Sequence, residues 1–416
     1  MADWLREWGE RPRRKVRPFW SSPGLILRQA GAALCIGALT NWAAMPLWFM
    51  RYGPRCLRGA AGARGMGCIG FPSHPVWEMT AACNLNCIHC HVPSTGMGEE
   101  LDTEEGKALL DQLAGVKEFR MMAFTGGEPL MRDDLYQLLA YSQALGFVNT
   151  IATNATLVDD HVARRLRACG VAIAAVSLDG DEQTHDMVRG CAGAFASAIR
   201  GMKALRRAGI LLHINITAME QNLEKVQSIM NDVERLGASI ILMYQLVPVG
   251  RGKGIEGSAL DKADNEHLIR FMAEAQARSR GILEPVAGPQ YWAYLLRNAG
   301  IEGGPFLSLA RKVFHGCSAG RGFVYIKPDG EVLPCPFMPV SCGNIRRSAF
   351  SSIWSDSPVF QNLRLREEKL KGDCAECRYI SLCGGCRGRS LAAAGDYLAH
   401  DPSCFMTPYI SGGKAP

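Results

Sequence analysis

Three cysteines fall within eight residues, Cys83-Asn-Leu-Asn-Cys87-Ile-His89-Cys90, at a C-x3-C-x2-C spacing. Three thiolates are one short of the four that normally close a [4Fe–4S] cluster. A cluster held by three leaves one iron open, and an open metal position is where chemistry takes place. The plainer alternative is a zinc knuckle or three unrelated thiols. Zinc sites usually pair C-x2-C with a second such pair or with histidines. The fold must therefore deliver and hold this loop, and the apolar run Val76–Thr80 reads as the strand that delivers it.

The chain has 416 residues, 48% of them hydrophobic, enough for two domains with real cores. Its net charge is +6, but the first 64 residues supply that surplus and the body is near neutral. That balance does not argue for nucleic acid as a partner. Sixteen cysteines are many. They cluster in short C-x2-C units in a long chain, which is the usage of thiolate ligands in a reducing compartment and not of a secreted disulfide framework.

From 74 to 280 strand-like and helix-like runs alternate about six times. Strands are expected at Val76–Thr80, Arg120–Phe124, Val148–Ala152, Val171–Leu178, Ile210–Ile216 and Ser239–Val247. Helices are expected at Asp102–Leu113, Leu135–Leu145, Val158–Ala168, Ala194–Ala208 and Leu223–Leu236. Such alternation makes a parallel sheet of class α/β, and Val171–Leu178 is nearly continuously apolar, as a doubly covered parallel strand should be. Periodicity does not separate an open sheet from a closed barrel. The strand ends carry the polar signals. Thr125-Gly126-Gly127-Glu128-Pro129 follows the second strand, where two glycines permit close backbone approach and Glu128 offers an acceptor for an ammonium. Asn154 ends the third strand and Ser177-Leu-Asp179-Gly180 the fourth, and their plainer role is capping and turn formation. Arg189 suits a carboxylate or a solvated surface. Asn215 and Tyr244 face the same rim.

Between about 310 and 416 lie eight more cysteines, and seven of them, all but Cys342, follow a recognisable order. Cys317 precedes Gly330 by twelve intervening residues, and Cys335 follows after four more. Then come Cys374-Ala-Glu-Cys377, Cys383-Gly-Gly-Cys386 and Cys404. Lys327-Pro-Asp-Gly330 is a turn between two strand-like runs, so a hairpin is expected. Two zinc ribbons are the plainer reading of these pairs.

The three motifs, in this order, resemble the radical S-adenosylmethionine (SAM) superfamily with a C-terminal SPASM extension. The resemblance covers about 74–406. It implies a partial (β/α)6 barrel with its active site at the C-terminal strand ends, followed by a Cys-rich SPASM domain at 310–416. It implies that Cys83, Cys87 and Cys90 hold a [4Fe–4S] cluster whose open iron binds SAM. Gly126, Gly127 and Glu128 would then bind SAM's amino group, and Asn154, Ser177 and Arg189 would contact its ribose and carboxylate. Cys317, Cys335, Cys374, Cys377, Cys383, Cys386 and Cys404 would hold two auxiliary clusters, with Cys374, Cys377, Cys383 and Cys404 on one. Cys317, Cys335 and Cys386 would hold the other, closed by Cys342 or left open to substrate. The family spaces the last pair as C-x3-C, a departure that bears on ligand assignment. The implied chemistry is reductive cleavage of SAM to a 5′-deoxyadenosyl radical that abstracts hydrogen from substrate. Val247-Pro-Val-Gly-Arg251-Gly, Pro334-Cys-Pro-Phe-Met-Pro339 and Cys383-Gly-Gly-Cys-Arg387-Gly-Arg389 most resemble haem-pathway maturases, which act on propionate side chains of a tetrapyrrole. A peptide-modifying maturase is the alternative substrate class, and an Fe–S electron-transfer protein without SAM turnover the alternative function. The implied partners are a small-molecule or peptide substrate and a low-potential electron donor such as ferredoxin or flavodoxin.

Residues 1–70 form a basic and hydrophobic extension. Arg11-Pro-Arg13-Arg14-Lys15-Val-Arg17 is followed by an uncharged run from Gln29 to Met50, then by Arg51, Arg55 and Arg58. As a helix the run would reach roughly 33 Å at 1.5 Å per residue, enough to cross a bilayer core. A packed hydrophobic hairpin and a cleaved signal peptide are the alternatives. SAM and its donors are cytosolic. A cytoplasmic catalytic body attached to the cytoplasmic face of the membrane through residues 25–50 is therefore the expectation. Basic residues at both ends give no clean orientation.

Overall fold

The computed structural model describes residues 74–406, apart from 93–98, 118, 120, 239, 277–281 and 314–315. The uncharged run at 25–50 and the helix expected there lie outside the described residues. Among the described residues, no helix is long and apolar enough to cross a membrane.

The chain alternates β and α from its first described element. β1 (His74–Glu78) leads into the cysteine loop, followed by α1 (Thr103–Ala114), β2 (Met121–Thr125), α2 (Leu135–Ala144), β3 (Val148–Thr153) and α3 (Asp160–Ala168). Then come β4 (Val171–Ser177), α4 (Glu182–Arg189), α5 (Ala194–Arg207), β5 (Leu211–Ala218), α6 (Val226–Arg235) and β6 (Ile240–Gln245). The elements expected from periodicity match these to within about three residues, and several helix starts carry a local cause. Asp102 caps α1 in a capping box with Glu105, and Asp159 caps α3 by accepting from the Val162 N–H. α4, which periodicity did not indicate, is short and polar and starts at the Asp181 cap. Past β6 lie α7 (Lys262–Gln276), a seventh parallel strand β7 (Ile282–Val286), α8 (Gln290–Asn298) and α9 (Gly304–Val313).

β1 to β7 lie side by side in chain order and all pair parallel. The expected hairpin is present as β8 (Phe323–Ile326) and β9 (Glu331–Leu333), turned at Lys327–Gly330, where Gly330 has φ +80°. β8 pairs parallel with β1, His74 opposite Phe323 and Trp77 opposite Ile326. β10 (Gly343–Asn344) adds to β9, so one ten-stranded sheet runs from β10 to β7. The two end strands are not paired with each other, so the sheet is open among the described residues. The C-terminal segment continues with α10 (Phe350–Asp356), α11 (Pro358–Arg364), α12 (Arg366–Lys369) and α13 (Arg387–Ala394).

The main core joins this whole sheet to its helices. Trp77, Phe124, Ile151, Val176, Ile214 and Ile241 are fully buried along it. Ile173 of β4 belongs to a second apolar group with Met121 and Ala172. β4 is therefore covered on both faces, which is why its sequence is apolar almost throughout. Parallel pairing places every C-terminal strand end on one rim: Glu78 is in register with Thr125, Ser177 with Asn215, and Ala218 with Gln245.

Candidate active site at the strand rim

The cysteine loop leaves the end of β1 and is held by backbone contacts on three sides. The Ile88 N–H donates to the Val188 carbonyl at 3.0 Å, and the Arg251 N–H donates to the Cys90 carbonyl at 2.9 Å. Arg251 also donates through Nε to the Cys87 carbonyl, at 3.0 Å. A Cβ at Gly190 would lie 2.7 Å from the Asn86 carbonyl oxygen, and one at Gly250 would lie 2.3 Å from that of His91. Both glycines have positive φ, so each position requires glycine for conformation and for space. Cys83, Cys87 and Cys90 pack with Leu85 and Ala194. Burial pushes the Cys83 and Cys90 thiols up.

Gly126 and Gly127 approach the segment entering this loop. A Cβ at Gly127 would meet the Ala82 and Ala81 carbonyl oxygens at 2.3 and 2.5 Å. The Gly127 and Glu128 N–H groups donate to the Thr80 and Ala82 carbonyls, both at 2.7 Å. The two glycines thus clamp the start of the cysteine loop. Glu128 is fully buried. It accepts from the Thr153 hydroxyl (2.7 Å), the Asn154 N–H (2.8 Å) and the Leu130 N–H (3.3 Å). Burial outweighs these bonds and pushes its carboxyl up to about 7. Asn154 donates through Nδ2 to Asn84 Oδ1 at 2.8 Å, joining the third strand end to the cysteine loop. Ser177 is half-buried at the end of β4, paired with Asn215.

Arg189 is enclosed. Its Nη2 lies 2.6 Å from Asp179 Oδ2, and its Nη1 donates to Cys87 Sγ at 3.5 Å. Asp179 is fully buried, accepts from the Thr217 N–H at 2.9 Å, and has His89 Nε2 at 3.3 Å. The Arg189 and His89 charges hold its carboxyl well below the usual range against a large burial penalty. Asp179 was legible only as part of a turn signal. What singles it out is three-dimensional: a buried acid at a parallel strand end, paired with Arg189 at the end of α4, beside the cysteine loop.

A second polar group ties the rim to the hairpin. Tyr325 of β8 donates to Glu78 Oε2 at 2.7 Å, and its hydroxyl lies 3.0 Å from His91 Nε2. Burial pushes Glu78 up to about 7. Sequence carried no signal for this trio, because the β1–β8 pairing that assembles it spans some 250 residues.

The C-terminal cysteines separate into groups. Cys374, Cys377, Cys383 and Cys404 line one pocket with Gly384, Gly385 and His400. Burial pushes the Cys383 thiol well up and the Cys404 thiol to about 12. Cys317 and Cys335 pack together around Ala319, Met338 and Leu363, and Cys317 is an electrostatic neighbour of the buried Cys386. Cys342 lies instead beside Ser357, Glu331 and Arg364, with its thiol pushed up to about 12 by burial. Buried arginines surround these thiols: Arg366 donates to the Cys317 carbonyl at 2.7 Å, and Arg387 to Cys374 Sγ at 3.8 Å.

The profile of the radical SAM superfamily matches residues 77–233, and that of the SPASM iron-sulfur cluster-binding domain matches residues 317–378. An AdoMet-dependent heme synthase of Methanosarcina barkeri is 38% identical over 341 residues, covering 80% of this chain and 96% of that protein. The chain belongs to the radical SAM superfamily. An AdoMet-dependent heme synthase of Nitratidesulfovibrio vulgaris is 36% identical, with 80% of this chain and 92% of that protein covered. Among solved structures, Streptococcus suis SuiB bound to its precursor peptide SuiA superposes with a TM-score of 0.65 at 20% identity, over 84% of this chain and 79% of that one. That likeness establishes the fold. This radical SAM enzyme therefore carries [4Fe–4S] and SAM chemistry on a radical SAM barrel with a SPASM extension. Its donor sets fit such clusters. Among the described residues, no three His, Cys, Asp or Glu side chains surround a single-ion position. A cube needs none, since its protein thiolates bind different irons and not one shared ion.

Proposed function

We propose that this enzyme oxidatively decarboxylates propionate side chains of an iron tetrapyrrole, using SAM. The observation that supports this reading is the likeness to the Methanosarcina heme synthase, which covers 80% of this chain and 96% of that protein. When bound, a cluster held by Cys83, Cys87 and Cys90 supplies the electron that cleaves SAM to a 5′-deoxyadenosyl radical.

The chain's own residues bind, orient and exclude water. Glu128 presents a buried carboxylate with no cation among its hydrogen-bond partners in the described residues, which suits SAM's ammonium. Gly126 and Gly127 set the position of the loop that holds the thiolates. Asn154 and Ser177 stand at neighbouring strand ends for the ribose and carboxylate. Hydrogen abstraction from the propionate leaves a carbon radical. Loss of carbon dioxide with one electron then gives a vinyl group. That electron has to leave the site, and the buried thiols of the SPASM segment stand ready as ligands of its acceptor. Cys374, Cys377, Cys383 and Cys404 would hold one auxiliary cluster, and Cys317, Cys335 and Cys386 another. A low-potential donor such as ferredoxin or flavodoxin would feed the first cluster.

The test is product analysis. The reduced enzyme, given SAM and an iron tetrapyrrole bearing propionates, should lose one carboxyl group per side chain converted, with 5′-deoxyadenosine formed in proportion. Release of 5′-deoxyadenosine with the tetrapyrrole unchanged would contradict the substrate class and turn attention to peptides.

A further inference from the structure

The Arg189 guanidinium touches both the buried Asp179 carboxylate (2.6 Å) and the Cys87 sulfur (3.5 Å). All three groups are nine-tenths or more buried. Asp179 is itself fixed from three directions. Its Oδ1 accepts from the Thr217 N–H at 2.9 Å, its N–H donates to His185 Nδ1 at 3.2 Å, and its carbonyl accepts from Asn222 Nδ2 at 2.9 Å. His89, between Cys87 and Cys90, closes on the same carboxylate at 3.3 Å. The arrangement is a rigid acid at the end of β4 that aims a planar cation at one of the three loop thiols. A lysine would not serve, because a single ammonium lacks the fork that reaches two partners at once.

We propose that Asp179 is a positioning residue that holds Arg189 as a hydrogen-bond donor to the Cys87 thiolate, and that this donor raises the reduction potential of the cluster bound by the loop. The inference rests on the reading of Cys83, Cys87 and Cys90 as cluster ligands. Hydrogen bonds to ligand sulfurs and local net charge set cluster potentials. A held donor withdraws electron density from the thiolate and favours the reduced state. The cluster that activates SAM must accept its electron from a soluble donor, so a raised potential eases its loading.

The experiment is an EPR-monitored redox titration of the full chain, without SAM or tetrapyrrole. The Cys83/Cys87/Cys90→Ala variant identifies which signal belongs to the loop. Arg189→Gln should lower that midpoint by about tenfold in the one-electron equilibrium, about 59 mV, and leave the remaining signals in place. Asp179→Asn gives the sharper result. By Coulomb's law alone, removing a carboxylate near the cluster raises its potential. Releasing the guanidinium from its anchor lowers it. A fall supports the positioning role; a rise or no change overturns it. Should Asp179→Asn fail to assemble the cluster, Arg189→Lys retains the charge without the fork, and its potential should fall by less than that of Arg189→Gln. A potential unchanged in Arg189→Lys and Arg189→Gln overturns the inference. A wild-type protein lacking the loop signal altogether would instead refute the cluster reading beneath it.

Discussion

Glu128 shows how a buried acid can be prepared for a cation that the protein itself does not supply. Among the described residues it has three hydrogen-bond donors but no guanidinium or ammonium partner, and its carboxyl sits at about 7 against an ordinary 4.5. Below pH 7 the free enzyme keeps it protonated, and only the ionised form pairs with SAM's ammonium. SAM affinity should therefore rise with pH through this window and level off above it, as read by equilibrium binding. Glu128→Gln should flatten that profile and weaken binding by about ten- to a hundredfold, from a charge-assisted bond of about 1.5–3 kcal/mol. The same raised pKa, shared by Glu78, has a consequence for stability. Both groups bind protons more tightly folded than unfolded, so their contribution is fully present below pH 4.5 and is lost as pH rises through 7. Residue identity at the rim was legible in sequence for Glu128, Asn154 and the cysteines, because each stands in a short motif. It was not legible for Asp179, Tyr325 or Arg366, whose partners lie on elements distant in the chain.

At the scale of elements, the turn after β2 and the loop after β1 behave as one unit. Gly127→Ala would drive a Cβ into two backbone carbonyls at 2.3 and 2.5 Å, and neither can move without shifting the cysteine loop. The expected loss is about 1–3 kcal/mol, measured by chemical denaturation, together with loss of loop-bound iron. Gly254→Ala, where a Cβ meets open space, is the control and should be near neutral. A second unit joins the barrel to the SPASM segment. Arg389 grips Asp401 through Nε and Nη2 at 2.7 and 2.8 Å and reaches Gln245 of β6 through Nη1 at 2.7 Å. Asp401 also accepts from the Cys386 N–H at 2.8 Å. Both charges are buried, so Asp401→Asn strands a buried guanidinium and should cost about 3–5 kcal/mol. A denaturation midpoint unchanged in that variant would show the pair to be idle. The helices and strands of the barrel were foreseeable because hydrophobic period, caps and turn glycines agree locally. The seventh strand, β7, follows residues outside that six-fold alternation.

Over the whole molecule, the hairpin β8–β9 extends the barrel sheet beyond β1. The Cys-rich extension, which sequence composition sets apart, thus shares a sheet with the barrel and places Tyr325 against the cysteine loop. No periodicity could reveal this, since pairing across some 250 residues leaves no local trace. Residues 25–50 remain a sequence-based expectation. The full-length chain should partition with membranes, whereas a chain beginning near Phe71 should stay in solution and still cleave SAM. Recovery of the full-length protein in the soluble fraction without detergent would favour a packed hairpin. The most direct test of the account is 5′-deoxyadenosine release by reduced wild-type enzyme and by the Cys83/Cys87/Cys90→Ala variant. The wild type should release it, and the variant should release none while keeping about eight irons in two auxiliary cubes. Undiminished release by the variant would contradict the assignment of the active site to this loop.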